Sequence, residues 1–157
     1  MKSFRTLVVT GLLPLLSGCV YLGPPFKAVD QFAVVPSDRS VVVGITHVTL
    51  GDEHEKNNVF WDYTRQVINS LPEHQGYLGH KLRKKLFADE AWTMTVWEDE
   101  DALDRFVRSS QHGMAMGKGL PAVKSARFVR LILPRAQTPL DWDIAERMMS
   151  DKGRNLY

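Results

Sequence analysis

Ala91-Trp92-Thr93-Met94-Thr95-Val96-Trp97, followed by Glu98-Asp99-Glu100-Asp101 and then Ala102-Leu103-Asp104-Arg105-Phe106-Val107, is the stretch that decides the fold. The first run reads as a strand, bounded upstream by the turn residues Ala88-Asp89-Glu90. The acidic run suits the positive end of a helix dipole. Ala102, Leu103, Phe106 and Val107 recur on one helical face, and Gly113 is a natural stop. One strand running directly into one amphipathic helix is therefore the unit from which the rest is assembled.

Upstream, Tyr77 to Leu86 alternates, which places Leu78, His80, Leu82 and Leu86 on one side of a second strand. Before it, Val59, Phe60, Tyr63, Val67, Ile68 and Leu71 share a helical face, with Asn57 or Asn58 as cap and Pro72 and Gly76 as terminators. Val41 to Leu50 is β-branched and apolar, a further strand. Downstream, Lys118-Gly119-Leu120-Pro121 is loop and Arg127 to Leu133 is a strand closed by Pro134. A short helix follows from Asp141 as cap through Met149. The order over residues 40–133 is β-α-β-β-α-β, the ferredoxin-like α+β plan, with a C-terminal extension at 134–157. Such a sheet carries both helices on one face. Its other face would present apolar and aromatic side chains to water, which a domain this small cannot leave uncovered. Pairing with a second copy, a homodimer, is the expected cover.

The amino terminus reads as an export signal. Met1-Lys2-Ser3-Phe4-Arg5 is basic, Thr6 to Leu16 is apolar, and Leu16-Ser17-Gly18-Cys19 ends in small residues before a cysteine. The apolar run is shorter than the roughly 20 residues a membrane-spanning helix needs. Leu-Ser-Gly-Cys resembles the lipobox of bacterial lipoproteins. That resemblance implies a signal peptide at 1–18, lipidation (palmitate included) of Cys19 and membrane lipid as a partner. Residues 19–39 would be a tether, broken by Gly23-Pro24-Pro25 and Pro36-Ser37-Asp38, spanning about 25 Å as a coil. The apolar stretch Val29–Val35 could dock it in part. Cys19 is the only cysteine, so no internal disulfide can form. Val20, where an aspartate would favour inner-membrane retention, points to the outer membrane and a periplasm-facing domain.

Charge excludes one class of partner. The chain has 20 basic and 18 acidic side chains, and losing Lys2 and Arg5 with the signal leaves 18 of each. The pI of 8.7 thus describes the precursor. No concentrated basic face argues for nucleic acid. Lys81, Arg83, Lys84 and Lys85 form a local cluster suited to a solvated strand edge.

The block Ala91–His112 resembles the strand-to-helix signature of antibiotic biosynthesis monooxygenase-like domains, and the resemblance extends over 40–133. It implies a dimeric α/β barrel, in which two four-stranded sheets pack face to face. It also implies a group of proteins that includes cofactor-independent oxygenases, haem-degrading enzymes, isomerases and proteins without known activity. The haem-degrading branch would place its tryptophan at Phe106 and its iron-binding histidine at Met116, so haem degradation is not expected. No cofactor is expected.

The candidate catalytic residues are His47 and His80, each within a strand, where a neutral imidazole could take a proton from a phenol-like substrate. Trp92, Tyr63 and His112 are the candidate pocket residues. A strand histidine is more often a hydrogen-bonded structural residue, and His112 beside Gly113 could simply complement a helix end. The histidines lack the spacing of a zinc helix, so no metal is expected. Gly113 to Gly119 has one residue too few, and a glycine in place of Ser or Thr, for a phosphate loop. No nucleophile elbow is present. Two readings stay open: an oxygenase of small aromatic or quinone-like molecules, and a non-catalytic ligand-binding or stress-related envelope lipoprotein.

Overall fold

The computed structural model describes residues 20–86 and 88–156. The signal peptide and Cys19 expected from the sequence lie outside the described residues. In chain order the elements are β1 (Tyr21–Leu22), β2 (Lys27–Ala28), α1 (Asp30–Val34), β3 (Ser40–Leu50), α2 (His54–Ser70) and β4 (Tyr77–Lys85). They continue with β5 (Glu90–Trp97), α3 (Glu100–Val107), α4 (Ser110–Gly119), β6 (Val123–Pro134), α5 (Trp142–Lys152) and β7 (Arg154–Asn155). No helix among the described residues is long and apolar enough to cross a membrane.

The four long strands are antiparallel and lie in the order β4-β5-β3-β6, which is the ferredoxin-like plan. Register across the middle is continuous. Ile45 faces Met94 on one side and Val129 on the other, and His47 likewise lies between Trp92 and Arg127. Because side chains alternate across a strand, one face carries Val41, Val43, Ile45, Met94, Val96, Val129 and Leu131. The other carries Val42 and Trp97, packed with Ala102, Leu103 and Phe106 of α3.

The face expected to be bare is covered by the chain itself. Val35, Leu140, Ala145 and Met149 are buried against it, with Phe26, Phe32, Trp142, Ile144 and Met148 packed around them. The cover comes from both ends of the sequence: the segment carrying β1, β2 and α1, and the extension carrying α5. Face-to-face pairing of two sheets, the barrel arrangement implied by the resemblance, therefore has no free face to use, and the physical reason given for a homodimer is removed.

Residues 20–39, expected as a tether docked in part through Val29–Val35, are docked from Val20 onward. β1 and β2 both pair with the outer edge of β4 (Tyr21 opposite Lys85, Lys27 opposite His80), and the Val29 amide donates to the Leu78 carbonyl at 3.1 Å. Pro24 and Pro25 merely separate two short rungs.

Three local expectations change. Asn57 lies inside α2, not at its start, and its side-chain amide donates to the Gly51 carbonyl at 2.8 Å and to Asp89 Oδ2 at 3.1 Å. α3 ends at Val107, short of the stop expected at Gly113, and α4 follows and takes in Lys118 and Gly119, which were expected as loop. Ser109 starts α4 by accepting from the His112 amide, so the chain turns at Arg108 and Ser109 and the helix continues past Gly113. β6 begins at Val123, four residues before the expected start.

A Cβ at Gly113 or Gly117 would meet nothing within 4 Å. Their replacement by alanine is expected to stabilise the protein by up to about 1 kcal/mol each, the helix-propensity difference. The check is a rise in the urea midpoint at unchanged slope.

Candidate functional site

Between the sheet and the helical layer lies a cavity of about 410 Å³. That size falls in the range of small-molecule sites, about 300–1,000 Å³. Its floor is the sheet face bearing Thr46, Leu82, Thr93, Thr95 and Phe128. Its roof is α2 (Phe60, Tyr63, Val67, Ile68), the end of α3 (Phe106, Val107) and α4 (His112, Ala115, Met116). The larger of the two core clusters lies on the other face, where the terminal segments supply part of it. The helix-side space is only partly filled by side chains.

His80 reaches this cavity because of a register shift. β4 pairs Tyr77 with Trp97 but Gly79 with Val96, an irregularity that advances the pairing by one residue. Leu78 consequently points to the face covered by the terminal segments. Tyr77, His80 and Leu82 point to the helix face, contrary to the shared side expected for Leu78 and His80. His80 is 6% exposed, and its Nδ1 lies 2.5 Å from the Tyr77 hydroxyl. Nε2 has no protein partner among the described residues. Burial, then the nearby Lys27 charge, lowers the His80 pKa, so the ring is neutral over most of the physiological range. Burial also pushes the Tyr77 phenol up to about 12, which keeps it protonated. When Nδ1–H donates to the Tyr77 oxygen, Nε2 presents a lone pair to a ligand. This is the arrangement a general base needs.

His112 is the second imidazole at the cavity. Its Nδ1–H donates to the Val107 carbonyl at 3.0 Å, which ties down the end of α3 and fixes Nε2 as an acceptor. Burial is the main cause of its lowered pKa, and the bond to Val107 opposes it. The ring edges against Phe106, centroids 4.9 Å apart. Tyr63 completes the set on α2. The other cations at the wall are committed elsewhere. Arg130 bonds Asp104 at 2.5 Å and Glu100 at 3.4 Å, and the Lys81 ammonium bonds the Leu140 carbonyl. Among the described residues no carboxylate lines the cavity, so it suits a neutral, largely apolar guest.

His47 and Trp92 do not join this group. They lie on the opposite face, stacked with centroids 4.1 Å apart. There Glu90 collects hydrogen bonds from the Tyr21 hydroxyl (2.6 Å), His47 Nε2 (3.0 Å), Lys85 (3.2 Å) and the Trp92 indole (3.3 Å). Burial alone would raise the Glu90 pKa, but these donors together bring it down to about 2. Arg83 lies beside them, over the rings of Tyr21, Trp92 and Trp142, and pairs with Glu146 of α5. The cluster fastens the amino-terminal segment and the carboxy-terminal helix to the sheet. Among the described residues, no three histidine, cysteine or carboxylate side chains gather as a metal site would require.

No protein-family model matches the chain, nor does any curated protein sequence. Solved structures do. A candidate monooxygenase from Lactobacillus acidophilus superimposes with a TM-score of 0.51 at 16% identity, over 62% of this chain and 48% of that one. A candidate antibiotic biosynthesis monooxygenase from Nitrosomonas europaea gives 0.51 at 8% identity, over 60% and 88%. The fold is that of the antibiotic biosynthesis monooxygenase-like structures. A conserved protein from Methanosarcina mazei shares it too, with a TM-score of 0.53 at 14% identity over 60% of this chain and 94% of its own. This chain spans about half the length of the Lactobacillus protein. At these identities the monooxygenase-like likeness is one of fold.

Sequence reading missed Tyr77 as the partner of His80, and it missed the threonine floor. The floor had a signal: Thr93-Met94-Thr95 places two hydroxyls on the face opposite a buried methionine. The Tyr77–His80 spacing had none, because it depends on the shifted register.

Proposed function

We propose that this chain is an envelope lipoprotein whose domain binds a small, neutral aromatic or quinone-like molecule between sheet and helices and oxygenates it without a cofactor. The single observation that carries the reading is a partly open, largely apolar cavity lined by the buried imidazole of His80, which the Tyr77 hydroxyl braces at Nδ1. In the proposed reaction His80 Nε2 takes a proton from an activated C–H or O–H of the substrate. The anion passes electrons to dissolved oxygen. A carbon–oxygen bond forms, the dioxygen bond breaks, one oxygen atom stays in the product and the other leaves as water with the two substrate hydrogens. The protein supplies the base, the orientation and a dry site.

The test is oxygen uptake with a panel of phenols and quinols, alongside binding measured by tryptophan quenching. Uptake is expected to rise with pH and to level off below the ordinary histidine pKa of about 6.5, since burial lowers His80 and the unprotonated form acts. Binding without uptake selects the non-catalytic ligand-binding reading. No binding by any panel member rejects the cavity as a site.

The membrane part of the proposal rests on the basic, apolar and small-residue order of residues 1–18 and on Cys19 as the sole cysteine, with Val20 favouring the outer membrane. Cys19→Ser is expected to abolish incorporation of labelled palmitate and to leave unprocessed precursor. Persistent labelling would overturn the anchor.

A further inference from the structure

We infer that the outer side of the β1–β4 ribbon rests directly on the bilayer, an inference that rests on lipidation of Cys19 as proposed above. The docked backbone begins only one residue after that cysteine. The Leu86 amide donates to the Val20 carbonyl at 2.8 Å, and Tyr21 and Leu22 pair with Lys85 and Lys84. One residue of extended chain covers about 3.4 Å. Acyl chains on Cys19 would therefore enter the membrane beside this ribbon, and a flexible spacer of about 25 Å, the span of a free coil of residues 20–39, is absent.

The chemistry of the ribbon fits that neighbour. Tyr21 is turned inward to Glu90, whereas the residues flanking it are exposed: Val20 by 51% and Leu22 by 57%, with Leu86 at 39%. Lys84, opposite Leu22, shares its side of the ribbon. Its ammonium lies 4.4 Å from the Trp61 ring centroid and 4.0 Å from Asp89. Three aliphatic side chains bordered by a lysine and a tryptophan match the boundary between acyl chains and headgroups. The aliphatics enter, the indole sits at headgroup level, and the lysine stem reaches back to a phosphate. Three such residues are too few to hold a protein on a membrane alone, and singly exposed apolar side chains are ordinary on any surface. Their position beside the anchoring residue is what selects the bilayer. The lipid supplies attachment, and the patch sets orientation.

The experiment uses the full-length lipidated protein in phosphatidylethanolamine–phosphatidylglycerol vesicles. Cys19 is the only native cysteine, so with its thiol acylated a single introduced cysteine carries the only free thiol. Leu22→Cys and Leu86→Cys are labelled with an environment-sensitive fluorophore. The control is Ile132→Cys on β6, 60% exposed and level with the far end of β4 through Val42 and Trp97. Labels at 22 and 86 are expected to be quenched several-fold more by spin-labelled lipid than the label at 132, and to be shielded from aqueous iodide. If palmitate is present and positions 22 and 86 are as open to iodide as 132, the orientation is wrong while the anchor stands. If palmitate is absent and the protein does not float with vesicles, the anchor and this inference fail together.

Discussion

Deleting residues 135–157 is expected to leave no stable folded monomer. The deletion removes Leu140, Ala145 and Met149, each buried, together with the packed Trp142, Ile144 and Met148. It also re-exposes the face formed by Val41, Val43, Ile45, Met94, Val129 and Leu131. A buried large aliphatic side chain contributes about 1.5–3 kcal/mol, and a whole domain is stable by about 5–15 kcal/mol. Losing several at once therefore exceeds the reserve of a domain this small. Size-exclusion chromatography with light scattering should show residues 20–157 as a monomer and the shortened chain as self-associated or insoluble. Met149→Ala is the graded version. It keeps the helix and is expected to cost about 2–5 kcal/mol by leaving a cavity against the sheet. A shortened chain that stays monomeric with an unchanged melting temperature would show that the extension does not complete the core.

The second large effect is catalytic. For any panel substrate that turns over, His80→Ala is expected to lower the rate by about 10²–10⁴-fold, the usual contribution of a positioned general base. Tyr77→Phe tests a positioning role. It removes the group that holds Nδ1, so kcat should fall and the acidic limb of the pH profile should move, while ligand affinity changes little. His47→Ala should leave both rate and profile unchanged, because His47 sits on the opposite face beside Glu90. Equal losses for His47 and His80 variants would mean that destabilisation, not proton transfer, is being read. Thermal melts of each variant at the assay pH separate the two.

The ferredoxin-like order was legible in the sequence because its signals are local. Val41–Leu50 and Ala91–Trp97 are strands by composition, and the acids before Ala102 announce a helix that Asp99 caps, accepting from the Ala102 amide at 2.8 Å. The site was only half legible. Tyr63, His80 and His112 come to one cavity, whereas His47 and Trp92 lie on the other face of the sheet beside Glu90. Parity holds only while register holds, and a single irregularity between Tyr77 and Gly79 reverses it for the rest of β4. The covering of the sheet was legible only in the apolar stretch Val29–Val35, which carries Phe32 and Val35 of the cover. It depends on packing that brings Val35 and Leu140, from the two ends of the chain, into one core cluster, and nothing in either segment alone says which surface it will meet. Pro24, Pro25 and Pro36 read as tether signals because prolines break helices and strands. They are equally compatible with a chain that runs along an edge and stops.

The docking of α5 has a consequence for how the protein is made. Synthesis proceeds from the amino terminus, so the sheet can assemble before residues 140–149 leave the ribosome. Until they do, the part of that face that α5 covers is wet and sticky. The domain therefore cannot finish its core while any of that last stretch is still in transit, and the period of greatest danger from misassociation falls at the end of production, not at its start.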